Sequence, residues 1–484
     1  MKTLQRCVFR TAAFLVVAAT AAAGDSHRAG SGSAAPSSIA TLWEQDALTS
    51  AWAPRASLAE RGLELSIGYT AEVLANPVGG VRRGTIVDAL LELGVDVDLE
   101  KAVGWRGGLL HALWLVPHGR SLTERYVGDL GTISNLDADD GFRLFEAWAQ
   151  QSVEAGPFRF SLRLGQMAAD EEFTLSEYSA LFLQGGFGPP VALTGNFPLP
   201  AYPMGALGAR LDFELAAAEG LTVFGRAGIF DGNPGSGIAA DPSRRAAVST
   251  EFNRFGTHYA FRPEEGAFLI GELGVAFNQP TDSEAPGSTK AKETVPVKAR
   301  GLAGRYMIGG SWHTDEFTDV RDLVLSDSGS AAAPAIVGEK KGDWSIYCVA
   351  DQEIWREAGS DTDGVGVFAR AVFTPEGRNL IQCSAEAGAV YRGLLQSEGR
   401  DALGLGVACY CLSERYADAV QETRREGLST SRDPDYEAVV ELTYSYQIAA
   451  WWSIQPDLQW IIHPGGSAEI DNALVVGLRS SIAF

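Results

Sequence analysis

At 484 residues the chain is long enough for two or three ordinary soluble domains or for one large barrel. Mean hydropathy lies near zero, with 55 glycines and 10% aromatic residues, and the formal net charge is −22. So acidic a protein repels nucleic-acid phosphates and makes a poor general collector of anions.

Residues 1–24 have the form of a secretory signal peptide: Lys2, Arg6 and Arg10, then the apolar stretch 11–23, with the small residues Ala21-Ala22-Ala23 at its end. The stretch is too short to span a membrane, and Cys7 precedes it, which does not fit a lipoprotein cysteine. An uncleaved anchor is the alternative. No later run of about 18 apolar residues follows, so the exported chain is either soluble or a closed transmembrane β-barrel. Residues 25–62 read as a flexible Gly/Ser/Ala-rich linker and then a short periplasmic segment. Trp43, Leu48, Trp52 and Leu58 in that segment suggest a short helix or plug ahead of the barrel.

From residue 63 to 484 the pattern changes to a period of two. Sixteen alternating segments are expected, at 63–73, 89–100, 106–117, 142–154, 157–166, 207–217, 220–230 and 266–278, and at 300–313, 343–355, 363–374, 380–392, 402–412, 437–448, 451–463 and 473–484. Each is about ten to thirteen residues, the length of a tilted strand crossing a bilayer. With a periplasmic N-terminus the outer links should be long and the inner links short. Long outer links fall at 118–141, 167–206, 231–265, 314–342 and 413–436, and short inner ones at 155–156, 218–219, 356–362 and 449–450. The long inner insert 279–299 and the short outer link 375–379 break the rhythm.

The faces sort in the same way. Leu65, Ile67, Tyr69, Ala71 and Val73 oppose Glu64, Ser66, Gly68, Thr70 and Glu72, and Phe158, Phe160, Leu162 and Leu164 oppose Arg159, Ser161 and Arg163. An Arg or Lys facing lipid at mid-bilayer costs roughly 2–4 kcal/mol, so the charged face lines a wet interior. The fold expected is all-β: a 16-stranded antiparallel transmembrane barrel, wide enough for an aqueous channel. A soluble sandwich with polar outer faces would share the alternation, but not the uniform strand length or the rhythm of the links. The chain stops at Phe484, on an aromatic residue that ends its last strand, as bacterial outer-membrane barrels do.

Link 167–206 carries Asp170-Glu171-Glu172, several aromatics and prolines at 189, 190, 198, 200 and 203. Such a loop is stiff enough to fold inward and narrow the barrel; an ordinary extracellular loop is the alternative. By alternation Glu146, Trp148, Arg163, Arg210, Asp212 and Arg226 point inward on the fourth to seventh strands, around that loop. Arg143 falls on the apolar face by parity and is left out. Carboxylates, guanidiniums and an indole suit a sugar, which offers paired hydroxyls and a flat C–H face. A salt-bridge lattice stiffening the wall is the structural reading of the same residues. Cys409 and Cys411 share a face with Leu403, Leu405 and Val407 and read as small apolar residues, and no Cys/His spacing forms a metal site.

From residue 52 to 484 the chain resembles the carbohydrate-selective porins of the OprB type. The resemblance rests on Gly68-Tyr69-Thr70-Ala71-Glu72-Val73-Leu74, Gly104-Trp105-Arg106-Gly107-Gly108, Arg143-Leu144-Phe145-Glu146-Ala147-Trp148 and Arg163-Leu164-Gly165-Gln166 with Asp170-Glu171-Glu172-Phe173. Pro200-Ala201-Tyr202-Pro203, Gln455-Pro456-Asp457-Leu458-Gln459-Trp460 and His463-Pro464-Gly465-Gly466 complete it. The Cys409/Cys411 pair, the short early linker and the Lys-containing acidic insert at 281–298 depart from it. The resemblance implies facilitated diffusion of carbohydrates, monosaccharides such as glucose among them, across the bacterial outer membrane. It implies no catalytic residues and no cofactor. The partners are then small sugars and the lipid and lipopolysaccharide around the barrel, with a homotrimer as the assembly. A general or anion-selective porin is the alternative, and the polar faces hold at least as many acids as bases. A barrel enzyme finds little support, because the six histidines are scattered and no nucleophile motif accompanies them.

Overall fold

The computed structural model describes residues 53–235, 253–257, 265–279, 301–334 and 337–484. The targeting segment, most of the 25–62 segment, His258 and the 281–298 insert lie outside the described residues. Sixteen antiparallel strands form one closed barrel in which each strand pairs with its sequence neighbours and β1 pairs with β16. The first eight are β1 (Leu63–Gly80), β2 (Gly84–Asp98), β3 (Gly108–Gly119), β4 (Arg143–Ala155), β5 (Phe158–Met167), β6 (Ala206–Ala218), β7 (Leu221–Asp231) and β8 (Ala267–Phe277). The rest are β9 (Gly304–Thr318), β10 (Glu339–Arg356), β11 (Gly364–Phe373), β12 (Ile381–Arg392), β13 (Asp401–Leu412), β14 (Tyr436–Ala449), β15 (Trp452–Ile462) and β16 (Asp471–Ala483).

Closure follows from the alternation. Ile67, Val73, Phe158, Leu162, Leu164, Leu211, Leu273, Ile308, Ile346, Leu458 and Leu478 are exposed on the outer face, whereas Glu72, Arg163, Arg210, Glu272, Arg370, Glu386 and Glu441 are buried within. In lipid every strand edge must find a partner, and the ring supplies it. At the seam Glu72 stands opposite Arg479 and forms an ion pair with it. No helix among the described residues is long and apolar enough to cross a membrane.

One link differs from the sequence reading. β1 and β2 run on to a hairpin whose outer link is only 81–83. The turn-rich 74–88 segment stays in the ladder because a register shift between Ala75 and Val78 absorbs Pro77, which has no N–H to give. The outer link 374–380 is short, as expected, and its neighbours bond to it: Val320 N donates to Gly377 O at 3.2 Å and Ser413 N to Leu380 O at 2.9 Å. Helix α4 (Val320–Ser328) follows β9, helix α5 (Glu414–Arg425) follows β13, and Arg321 Nη2 donates to Glu422 Oε2 at 2.7 Å between them. Three further helices are short: α1 (Ala53–Glu60), α2 (Leu99–Val103) and α3 (Val191–Thr194). α1 precedes β1, and its Arg55 Nη1 donates to the Phe484 carbonyl at 2.8 Å, tying the approach to β1 to the end of β16.

Cys409 faces Ala385 and Cys411 faces Cys383 across β12 and β13. All four are buried, packed against the partly buried Ala371, Phe373 and Tyr436, in a small apolar cluster on the outer wall near the extracellular rim.

Candidate functional site

Residues 168–205 leave β5, fold into the lumen and return to β6, bonded to the wall along the way. Wall carboxylates take the loop's N–H groups. Glu146 on β4 accepts from Ala168 N at 2.9 Å, and Glu272 on β8 accepts from Thr174 N at 3.2 Å. Asp351 on β10 accepts from Ser176 Oγ at 2.6 Å and Glu177 N at 3.1 Å. Glu441 on β14 accepts from Leu183 N at 2.6 Å and Gln184 N at 3.1 Å. Wall donors take the carbonyls: Arg370 on β11 reaches Thr174 O at 3.1 Å and Gly186 O at 2.9 Å, and Gln455 on β15 reaches Leu181 O at 2.7 Å. Thr174 is β-branched yet sits at φ 62°, an outlier held in place by bonds at both its N–H and its carbonyl.

The loop also carries its own core. Phe173, Phe182, Phe187 and Phe197 pack with Phe230, Phe268 and Phe368 of the wall, and the Phe182 and Phe187 rings stack at 4.6 Å. Apolar packing therefore fills part of the lumen, while Glu171 turns its side chain to water and Glu92 is half-exposed beside it. A second outer link, 120–142, docks beside the first: Asn135 N donates to Leu183 O at 2.7 Å and Gly185 N to Thr132 O at 2.9 Å.

The inward residues expected from alternation meet this loop at one carboxylate. Arg163 on β5 stands opposite Arg210 on β6, and like charges in that position repel. Glu172 of the loop lies between them. Its Oε1 pairs with Arg163 Nη1, and its Oε2 accepts from Arg210 Nε at 2.8 Å. Arg163 also donates through Nε and Nη2 to Gln150 Oε1, at 3.1 and 2.9 Å, and Arg210 Nη1 reaches Ser161 Oγ at 2.6 Å. Asp212 stands opposite Arg226 and accepts from its Nε at 2.6 Å, while Arg226 Nη1 donates to the Glu172 carbonyl at 2.8 Å. Three guanidiniums thus converge on one loop residue. Glu146 and Trp148 stand across β4 from this group: Trp148 Nε1 donates to Glu146 Oε2 at 3.2 Å. Trp148 is only 5% exposed, because Arg163 covers one face and His111 the other.

Three features escape the alternation pattern. Glu172 lies on the loop, where strand parity says nothing. His111, read from sequence as a polar residue near a strand end, stacks on Trp148 and bonds Asp96 Oδ1 through Nδ1 at 2.8 Å. Arg143 does not face lipid. A register shift between Leu113 and Trp114 sets it opposite Leu115, where it is buried and donates through Nη2 to Asp139 O at 2.8 Å. The arrangement is a narrowed lumen whose donors and acceptors are fixed by one another.

Comparison with known proteins agrees with this architecture. The family described as "Carbohydrate-selective porin, OprB family" matches residues 82–484. Porin B of Pseudomonas aeruginosa is 25% identical over 453 residues, 89% of each chain. The putative porin QuiX of Acinetobacter baylyi is 23% identical over 467 residues, covering 92% of this chain and 94% of that one. Among solved structures, the high-pH form of Pseudomonas putida OprB superposes with a TM-score of 0.74 at 21% identity, covering 91% of this chain and 99% of that one. The low-pH form of the same protein gives 0.51 at 16% identity, with the same coverage.

Proposed function

Because the chain belongs to the OprB family of carbohydrate-selective porins, a family of channels and not of enzymes, we propose that it passes monosaccharides such as glucose by facilitated diffusion. The observation that carries this reading is the convergence of Arg163, Arg210 and Arg226 on Glu172. These pairs hold the loop across the lumen, so the passage keeps one width and one pattern of polar groups. The remaining acceptors, Glu171 and Glu92 among them, meet the water column and offer oxygens to sugar hydroxyls. Glu146, Trp148, Arg163, Arg210, Asp212 and Arg226 act here as the frame that places those groups.

The test is a planar bilayer with glucose, a disaccharide and a non-sugar solute of equal size. Sugar-dependent block that the non-sugar does not reproduce supports the reading, and equal block by all three overturns it. An anion-selective porin is disfavoured by the pairing of each of those three arginines with acid. A salt gradient separates the two, since an anion pore gives a reversal potential of the sign opposite to that of a cation-preferring pore, and a pore without preference gives one near zero.

We further infer removal of residues 1–24 on export, an outer-membrane location with lipid and lipopolysaccharide against the apolar band, and assembly as a homotrimer. N-terminal sequencing and cross-linking in native membranes test these three points.

A further inference from the structure

We propose that the extracellular face carries a second saccharide site, outside the lumen, which gathers free sugar beside the channel mouth. It is a cleft of about 580 Å³ between α4, α5 with the segment that follows it, and the outer link 463–470. That volume suits a mono- to trisaccharide, since small-molecule sites run to about 300–1,000 Å³. The inference rests on the carbohydrate reading and adds a place where sugar binds before passage.

The lining has the chemistry a sugar needs. Tyr416 and Leu428 supply apolar surface for a C–H face, Asp327 and Glu469 supply carboxylates, and Arg432 and Ser431 supply donors. The Tyr416 hydroxyl has no hydrogen-bond partner among the described residues, although the side chain is half-buried. Burial, and then the nearby Glu469 charge, push this phenol up, so it stays a neutral donor. The far wall is already organised: Arg432 N donates to Glu469 Oε1 at 2.5 Å and Arg432 Nη1 to Ala468 O at 2.5 Å. Arg432 brings five N–H donors, so others remain for a ligand.

Position completes the argument. Gly465 lines the cleft, and its N–H donates to Glu437 Oε2 at 2.8 Å. The same carboxylate accepts from Leu130 N at 2.7 Å and Gly131 N at 3.1 Å, in the outer link that docks against the inward loop. The cleft therefore abuts the rim of the passage. Sugar held there is released next to the opening, which raises the rate of entry from that side and, by microscopic reversibility, the rate of exit to it in the same ratio.

The experiment uses the full-length protein in phospholipid bilayers free of lipopolysaccharide, with glucose or maltotriose added to one side at a time. Tyr416→Ala and the double variant Asp327→Asn/Glu469→Gln should lower the blocking on-rate from the loop side by about threefold to tenfold, the worth of one or two hydrogen bonds. The on-rate from the opposite side should stay at the wild-type value, and the rate of exit to the loop side should fall in the same ratio as entry from it. Wild-type on-rates from both sides overturn the inference, and so does an equal loss from both sides. Absence of any sugar block in the wild type overturns the carbohydrate reading itself and takes this site with it. Tyr416→Phe removes the hydroxyl alone and gives the same readout if the alanine variant does not insert.

Discussion

The guanidinium of Arg163 lies 3.6 Å from the centroid of the Trp148 ring, and His111 covers the opposite face at 4.7 Å. A side chain that looks like a sugar-stacking platform is thus already stacked on both sides, by parts of the protein. The Arg163 side is the lid that also pairs with Glu172. Replacing Arg163 by Ala should uncover one indole face while leaving Glu172 held by Arg210 alone. The expected result is a larger, noisier single-channel conductance with longer sugar residence. Unchanged block in Arg163→Ala and in Arg210→Ala would remove both from the sugar path.

Glu172 should matter more than any one of its partners. Glu172→Gln leaves the shape but removes the charge that separates Arg163 from Arg210 across β5 and β6. Removing one member of a buried charge group costs on the order of 3–5 kcal/mol. The barrel should survive this, because the loop keeps its bonds to Glu272, Asp351, Arg370 and Glu441. Limited proteolysis within 168–205 should speed up, and a double-mutant cycle with Arg210→Ala should show coupling of about 1–3 kcal/mol.

What could be read in the sequence, and what could not, follows from the period of the strand. Alternation places a side chain on the inner or outer face, so the inward residues from Glu146 to Arg226 and the outward Cys409 and Cys411 were legible. It fails wherever the register slips, as at Leu113/Trp114, which carries Arg143 inward. It is silent on loops, so Glu172 appeared only as one acid of three in Asp170-Glu171-Glu172. The helix after β13 did leave a signal: Tyr416, Ala419, Val420 and Thr423 fall at helical spacing behind Ser413, whose hydroxyl accepts from Tyr416 N at 3.2 Å. The docking of 120–142 against the inward loop left none, because it depends on backbone groups such as Thr132 O and Leu183 O that every sequence has.

Cys383 and Cys411 should remain thiols despite facing each other in an oxidising compartment. Thr374 N donates to Gln382 O and Leu412 N to Asp435 O, so the backbone groups of Cys383 and Cys411 turn toward one another. Such hydrogen-bonded pairs have Cα atoms about 5.5 Å apart, with the Cβ atoms wider than the ~3.8 Å a disulfide prefers. Thiol titration of the denatured, unreduced protein should detect both thiols. A mass lower by two hydrogens would contradict this.

Acid should open the extracellular side at a defined point. Burial alone would raise the Asp319 carboxyl, but hydrogen bonds from Arg415 and then Lys340 outweigh it and hold the group down to about 2. A carboxylate with a depressed pKa stabilises the fold above its unfolded value of 3.8, and that contribution is lost as pH falls through about 2. Asp319 joins the start of α4 to Arg415 of α5, with 2.7 Å to its Nη2. Protease protection of 319–334 and 413–435 should therefore persist to about pH 3 and fail near pH 2. Arg415→Ala should move that loss to higher pH.

The seam offers the last prediction. Glu72 is fully buried on β1, and Arg479 on β16 pairs with it while also donating through Nη2 to Asn135 Oδ1 at 2.5 Å. One guanidinium thus closes the ring and holds the 120–142 link inside it. Glu72→Gln keeps a hydrogen-bond acceptor but removes the charge, and should cost about 1–3 kcal/mol. Arg479→Ala should cost more, since it strands a buried carboxylate as well as freeing Asn135. Because β1 and β16 also pair along their backbones from Gly68 to Gly80, both variants should still insert. The temperature at which the folded barrel converts to the slower-migrating unfolded form on a gel should drop in the order wild type, Glu72→Gln, Arg479→Ala. If Arg479→Ala melted with the wild type, the side-chain pair would have no part in closure and the backbone ladder alone would hold the seam.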